Sequence, residues 1–296
     1  MKKLLFIYNP HAGKERIRPW LSRILDAFTQ AGYLTTTYPT QGPGEATQIT
    51  AAIADRYDLL VCSGGDGTLN EVVAGLMEIQ DKPPLGYIPA GSTNDFSSNL
   101  QLPKGMKNAA GAVVSGIARP CDIGLFNGRA FIYIAAFGAF TDVSYGTPQQ
   151  FKNMFGHAAY VMESLGRLAN MKSYMITAEY DDGLFEGEFL FGMVSNTISV
   201  GGFKGIPSSL VSLDDGLFEV LLVRQPTSAA EFYEILLALT LQKPTVEGPV
   251  IAFRTSRLKL ACSEKIPWTL DGEYGGDPET AEIENCKQAI TIIHGK

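Results

Sequence analysis

Two periods of apolar spacing alternate along the first third of the chain. Leu4 to Tyr8 is a continuous apolar run of strand length, closed by the turn Asn9-Pro-His-Ala-Gly-Lys14. Ile17, Trp20, Leu21, Ile24, Leu25 and Phe28 then recur at helical spacing, the face that packs on a sheet. Gly32 ends that helix, Tyr33 to Tyr38 forms a second strand, and a helix runs through Ala54. Leu59 to Cys62 and Leu85 to Ile88 read as two further strands. Between them Leu69, Val72, Val73 and Leu76 share one helical face, and Ala109 to Ile117 is a small-residue helix. Strand and helix in strict alternation predict an α/β domain with a doubly wound parallel sheet, assigned here to residues 1–120.

The texture changes near Arg119-Pro120-Cys121-Asp122. Strand-like runs then dominate: 121–126, 129–138, 173–180, 184–195, 216–224, 250–261, 279–284 and 288–294. Turn signals such as Asn127-Gly128 and Asp182-Gly183 separate several of them. Helical stretches at His157–Leu168 and Ala229–Leu241 interrupt. The second domain, 121–296, reads as a mostly antiparallel β-sandwich, its last residues free to pack back on the first domain.

The chemistry concentrates after the third strand, at Gly64-Gly-Asp-Gly-Thr-Leu-Asn-Glu71. A strand, a glycine turn and a helix N-terminus make an anion cradle, because first-turn N–H groups lack intrahelical partners and glycine admits a close approach. Asp66 would repel a phosphate there unless a divalent cation intervenes, so the pattern points to Mg²⁺ and a nucleotide kinase. A Gly-rich strand–helix turn can equally be plain α/β architecture. The P-loop pattern is absent, and Asn70 stands where a dinucleotide fingerprint needs its third glycine. Loops 9–14, 64–68 and 89–95 all follow strands and should converge on one rim, where open α/β sheets bind ligands.

The remaining properties set limits. A length of 296 residues suits two domains, and 45% hydrophobic against 19% charged residues is a globular balance. A net charge of −7 argues against nucleic acid as a partner. The apolar start at Leu4–Tyr8 is too short for a signal peptide, and the run Phe131–Phe140 is too short to span a bilayer. Cys62, Cys121, Cys262 and Cys286 are widely spaced in apolar settings, which reads as reduced thiols and a cytoplasmic address.

Four ordered motifs carry a family resemblance: Asn9-Pro10-x-x-Gly13, the GGDGTLNE run, Pro89-x-Gly-Ser-x-Asn-Asp-Phe96 and Leu270-Asp-Gly-Glu-Tyr-Gly-Gly276. The chain resembles the diacylglycerol kinase catalytic family over essentially its whole length. Val143-Ser-Tyr-x-Thr-Pro148 and Leu213-Asp-Asp-Gly216 are similar to the soluble bacterial members. The resemblance implies ATP binding at Asn9, Pro10, His11, Ala12, Gly13, Thr40, Gly65, Asp66, Gly67, Thr68, Leu69, Asn70, Glu71 and Ser92. It implies Glu273 as catalytic base, alongside Asp66. It implies a structural Mg²⁺ on Asp215 and the main-chain oxygens of Ser212 and Leu217, with Asp66, Asp95 and Asp122 linked to it through water.

From residues alone Glu273 is an exposed loop glutamate and Asp214-Asp215-Gly216 a plain turn. Lys14 suits a phosphate, an anionic lipid surface or solvent equally. The implied reaction moves the γ-phosphoryl of ATP to diacylglycerol at the inner membrane face, giving phosphatidic acid. Phosphatidylglycerol and sphingoid bases remain rival acceptors, and a non-catalytic lipid or nucleotide sensor is the alternative of another class. Glu163 departs from the lysine that the resemblance implies on the membrane side, with Lys152, Arg167 and Lys172 able to substitute. Exposed sheet edges are compatible with a homodimer.

Overall fold

A computed structural model describes residues 1–138, 172–197, 212–241 and 248–295. The motif at Val143–Pro148, the expected helix at His157–Leu168, and Lys152, Glu163 and Arg167 lie outside the described residues. The chain divides into two compact units, Met1–Ile123 with Cys286–Lys296, and Gly124–Asn285.

In the first unit β1 (Lys2–Tyr8), β2 (Tyr33–Pro39), β3 (Leu59–Gly64) and β4 (Leu85–Pro89) run parallel in the order β2-β1-β3-β4. The end of β15 (Thr280–His294) continues that order beside β4, with Ile292 opposite Leu85. β3 is buried at every position, as a strand covered on both faces must be, whereas β2 alternates and forms the edge. Helices α2 (Leu21–Gln30) and α5 (Met106–Ser115) join Leu4, Phe6, Val61 and Ile88 in one core through Ile24, Phe28 and Val113. Leu5 and Ile7 point the other way and are fully buried too. The helices left to cover that face are α3 (Glu45–Ile53) and α4 (Asp66–Met77). They press together so closely that a Cβ on Gly75 would stand 2.5 Å from the Thr47 carbonyl oxygen. The doubly wound sheet is therefore realised.

The second unit is antiparallel. It takes in the end of β5 (Ile117–Phe126), then β6 (Arg129–Phe131), β7 (Ile134–Gly138), β8 (Tyr174–Tyr180) and β9 (Gly183–Ser195). β10 (Phe218–Arg224), β11 (Val250–Thr255), β12 (Arg257–Cys262), β13 (Trp268–Leu270) and β14 (Glu273–Gly276) follow. Strands neighbour one another as β14-β13-β7-β9-β8-β12, and the start of β15 extends the row beside β12. β10 lies between β9 and β11. Trp268 is enclosed by Phe126 and Phe137, each with its ring centroid 4.9 Å away, in a core shared with Phe131, Phe189 and Phe218. Gly192 is needed there, since a Cβ would fall 2.1 Å from the Phe137 ring.

Three strand boundaries differ from the apolar pattern, each for a visible reason. The run 129–138 splits into β6 and β7 because a carboxylate, that of Asp271, takes the backbone N–H groups of Ile132, Tyr133 and Ile134. The run 250–261 breaks at Ser256, whose N–H donates to Asp181 Oδ2 and whose carbonyl accepts from Asn285. The two runs after 279 are one strand, β15, with Gln288 at φ 52° inside it. The short β13 and β14 carry no strong period and were not expected. Helix α6 (Ala229–Leu241) matches its expected span.

Candidate active site

In the first unit β1, β3 and β4 end level, with Tyr8 opposite Ser63 and Gly64 opposite Pro89, so the three loops that follow leave the sheet together. Main chain ties them. Asn9 N donates to the Ser63 carbonyl at 2.9 Å, and Ala90 N and Gly91 N both donate to the Gly64 carbonyl, at 2.8 and 3.2 Å. Gly13, at φ 54°, leaves no room for a side chain, because a Cβ would sit 2.2 Å from the Ala90 oxygen. A Cβ on Gly91 would likewise come within 2.5 Å of Gly65 Cα. The turn α1 (Ala12–Glu15) holds Gly13, Lys14 and Glu15 at positive φ, a left-handed path that is unusual for the latter two.

Gly65 stands at the N-cap of α4 and has no side chain to spend on the first-turn N–H groups of that helix. Asn9 Oδ1 accepts from His11 N at 2.9 Å, and Asn9 Nδ2 lies 3.5 Å from Thr68 Oγ1. Thr68 also fills the space that a side chain on Gly64 would need. Thr40 is buried at the neighbouring strand end, its N–H donating to the Tyr8 carbonyl at 2.9 Å. Ser92 is exposed in the third loop. Asp66 Oδ2 accepts from Asp95 N at 3.1 Å, which ties the head of α4 to the 3₁₀ turn Asp95–Leu100. Burial raises the pKa of the Asp95 carboxyl.

Two residues from the expected nucleotide set, Leu69 and Glu71, and one from the expected metal network, Asp122, have structural roles. Leu69 is wholly buried in the core, so only its main chain is available to a ligand. Glu71 spans the start of α3: its Oε1 accepts from Gly44 N at 2.8 Å and its Oε2 from Ala46 N at 3.2 Å. Asp122 Oδ1 accepts from Gln288 N at 2.6 Å and thereby holds the irregular point of β15. The residue that sequence reasoning left out of the set is Asn94. At φ 54° it folds back so that Oδ1 accepts from Gly91 N and Nδ2 donates to the Gly91 carbonyl, both at 2.8 Å. Its signal was present, as an asparagine three residues beyond a loop glycine is a ready side-chain staple.

In the second unit Glu273 opens β14 and is exposed. It follows a two-residue turn, Asp271 at φ 49° and Gly272 at φ 85°, with Leu270 paired to Glu273 across it. That is the geometry an Asp-Gly hairpin favours. Asp271 is buried, and its carboxylate accepts three backbone N–H bonds, from Ile132 at 2.7 Å, Tyr133 at 2.9 Å and Ile134 at 3.1 Å. The hairpin that carries Glu273 is thus pinned at its tip.

A carboxylate cluster lies before and within β10. Asp215 Oδ1 accepts from Leu217 N at 3.0 Å, and Ser212 Oγ donates to Asp214 Oδ1 at 2.8 Å. Arg254 Nη2 pairs with Asp215 Oδ2, while its Nε donates to Glu219 Oε1 at 3.3 Å. Glu219 is 1% exposed, and among the described residues its Oε2 has no hydrogen-bond partner. Burial pushes its pKa up to about 7, with Arg254 opposing the rise and Asp215 adding to it. Among the described residues no group of three or more His, Cys, Asp or Glu side chains could hold a metal ion, and the cation between Asp215 and Glu219 is Arg254.

A main-chain cradle at a helix head with an acid beside it suits a phosphorylated ligand. Comparison with known proteins specifies the class as a lipid kinase. Residues 3–126 match the diacylglycerol kinase catalytic domain. The diacylglycerol kinase of Bacillus subtilis (strain 168) is 40% identical over 100% of this chain and 97% of its own length. That of Staphylococcus carnosus (strain TM300) is 36% identical over 100% of this chain and 96% of its own. A crystal structure from Bacillus anthracis str. Sterne superposes with a TM-score of 0.81 at 25% identity, over 99% of this chain and 95% of the other. The chain belongs to the diacylglycerol kinase family. Among the described residues no helix is long and apolar enough to cross a membrane.

Proposed function

We propose that the protein transfers the γ-phosphoryl group of ATP to the free hydroxyl of diacylglycerol, giving phosphatidic acid and ADP, in peripheral contact with a membrane. The observation that carries this reading is the joining of the 9–13, 64–68 and 89–95 loops into one main-chain rim at the head of α4. Phosphoryl transfer passes through a loose transition state, so positioning and charge neutralisation do most of the work. The N–H groups of the α4 head and the Gly13 turn would hold ATP phosphates, with Ser92, Thr40 and Asn9 at the margin. Glu273 would orient the acceptor hydroxyl and take its proton as the new P–O bond forms.

Mg²⁺, when bound, supplies neutralising charge to the phosphates and rigidity to its ligands. Asp66 and Asp95 are the acids of the rim that could face such an ion. Ser212, Asp215 and Leu217 would hold a second, structural one.

The test is transfer of labelled γ-phosphate from ATP into mixed micelles that hold diacylglycerol, phosphatidylglycerol or sphingosine. Label in phosphatidic acid is expected, reduced by roughly 10²–10⁴-fold in Glu273→Gln, the range for loss of a general base. The exposed Glu273 should be replaceable without a change in melting temperature. Label in another lipid alone would replace the acceptor. ATP binding without transfer to any lipid would refute the kinase reading.

A further inference from the structure

Tyr87 lies in the middle of β4 and is fully buried. It is registered with Cys62, and Cys62 with Ile7, so its side chain stands on the sheet face left to α3 and α4. A buried tyrosine needs a partner for its hydroxyl. Two oxygens from different loops of the rim are within reach: the Gly64 carbonyl at 3.1 Å and Asn94 Oδ1 at 3.2 Å. The N–H of Gly91 lies near the same two oxygens, at 3.2 Å and 2.8 Å, and Ala90 N donates to the Gly64 carbonyl at 2.8 Å. A hydroxyl carries one proton and rotates to suit, so Tyr87 can serve whichever oxygen the Gly91 N–H does not. Gly91 in turn is packed against the N-cap of α4, since a Cβ on it would fall 2.5 Å from Gly65 Cα.

We propose that Tyr87 is a positioning residue for the phosphates of ATP, its hydroxyl setting the distance between the 89–95 loop and the head of α4. This rests on the reading of the rim as the ATP site. Without the hydroxyl, the Gly64 and Asn94 oxygens compete for the Gly91 N–H, and the side-chain staple of the third loop loosens. Ser92, carried between Gly91 and Asn94, would then shift against a bound phosphate, and so would the Gly65 N-cap. Buried as it is, Tyr87 acts through Gly91 and Asn94 rather than on the ligand.

Calorimetric titration of the full chain with ATP and with adenosine separates the phosphate part of binding from the rest. Tyr87→Phe should weaken ATP about tenfold, short of the loss of about a hundredfold that a shift of about 1 Å brings, and leave adenosine unchanged. Asn94→Ala should do the same, and the double variant should be no worse than the poorer single one, because both act on one set of contacts. A hydroxyl that only stabilises the fold would lower the melting temperature and leave the ratio of ATP to adenosine affinity as in the parent, which overturns the proposal. Additive losses in the double variant overturn it as well. If Tyr87→Phe does not fold, Asn94→Ala decides alone, and an unchanged ratio in it overturns the positioning role. Should the parent bind ATP no more tightly than adenosine, the reading of the rim as a phosphate site falls, and the role of Tyr87 with it.

Discussion

Around Gly65 the loops are shaped largely by main chain: carbonyls of Ser63 and Gly64 accept from residues of the first and third loops, and Gly91 lies so near Gly65 that a Cβ on it would stand 2.5 Å from the Gly65 Cα. Around Glu273 the shape comes from one side chain, Asp271, which gathers three N–H groups lying 137 to 139 residues earlier in the chain. The first construction joins neighbouring strand ends and repeats from one to the next, so several contacts share it. The second is a long-range staple that adds to the pairing of β13 with β7 and to the bond from Asp271 N to the Ile134 carbonyl. A phosphate needs many N–H groups in a fixed concave array, which parallel strand ends provide. Under the proposed function an acceptor hydroxyl needs one carboxylate in one place, which a pinned hairpin tip would provide.

The comparison can be broken most directly at Asp271. Asp271→Ala removes three bonds to a charged acceptor and leaves buried donors unmet, for a loss of about 3 kcal/mol or more. Thermal and urea unfolding should show the loss, and transfer should fall even below the unfolding midpoint as Glu273 loses its position. A variant as stable as the parent would mean that Ile132, Tyr133 and Ile134 are satisfied otherwise, and that the hairpin is not held by this staple.

The rim is expected to resist single changes better, except where a glycine touches main chain. Gly13→Ala places a methyl against the Ala90 carbonyl at a φ of 54°, so the first and third loops must part. The left-handed conformation and the collision together should cost roughly 1–3 kcal/mol. The larger consequence is functional: a displacement of about 1 Å in the array would lower kcat/KM for ATP by about a hundredfold. Unchanged kinetics with ATP would remove the 9–13 turn from the phosphate site.

These two regions also differ in how far the sequence betrayed them. The parallel strands and their loops were legible because buried strands are continuous apolar runs and glycines mark the turns between them. The splitting of 129–138 and the existence of β13 and β14 were not, because both follow from a carboxylate that reaches across the fold rather than from any local period. Asp271 reads in sequence as a turn former, which it is; its three distant donors leave no trace in the pattern. Arg254 and Glu219 were missed for the same reason, since a charged pair on facing strands looks like an ordinary alternation of polar and apolar residues.

Glu71 gives the finest discrimination, because each of its two readings predicts a change in one of two measurements and none in the other. The family resemblance places it among nucleotide-binding positions, whereas its carboxylate is engaged by Gly44 N and Ala46 N at the head of α3. A carboxylate there satisfies orphan donors and faces the positive end of the helix dipole. Glu71→Gln keeps one acceptor and loses the charge, so it should cost about 1 kcal/mol of stability. KM for ATP should stay within about twofold of the parent, as expected where a uniform binding contact is not removed. Should KM rise tenfold while the melting temperature holds, Glu71 leaves α3 to meet the nucleotide. The rim would then present a carboxylate to its ligand beside the side chains of Asn94 and Asp66 that already brace it.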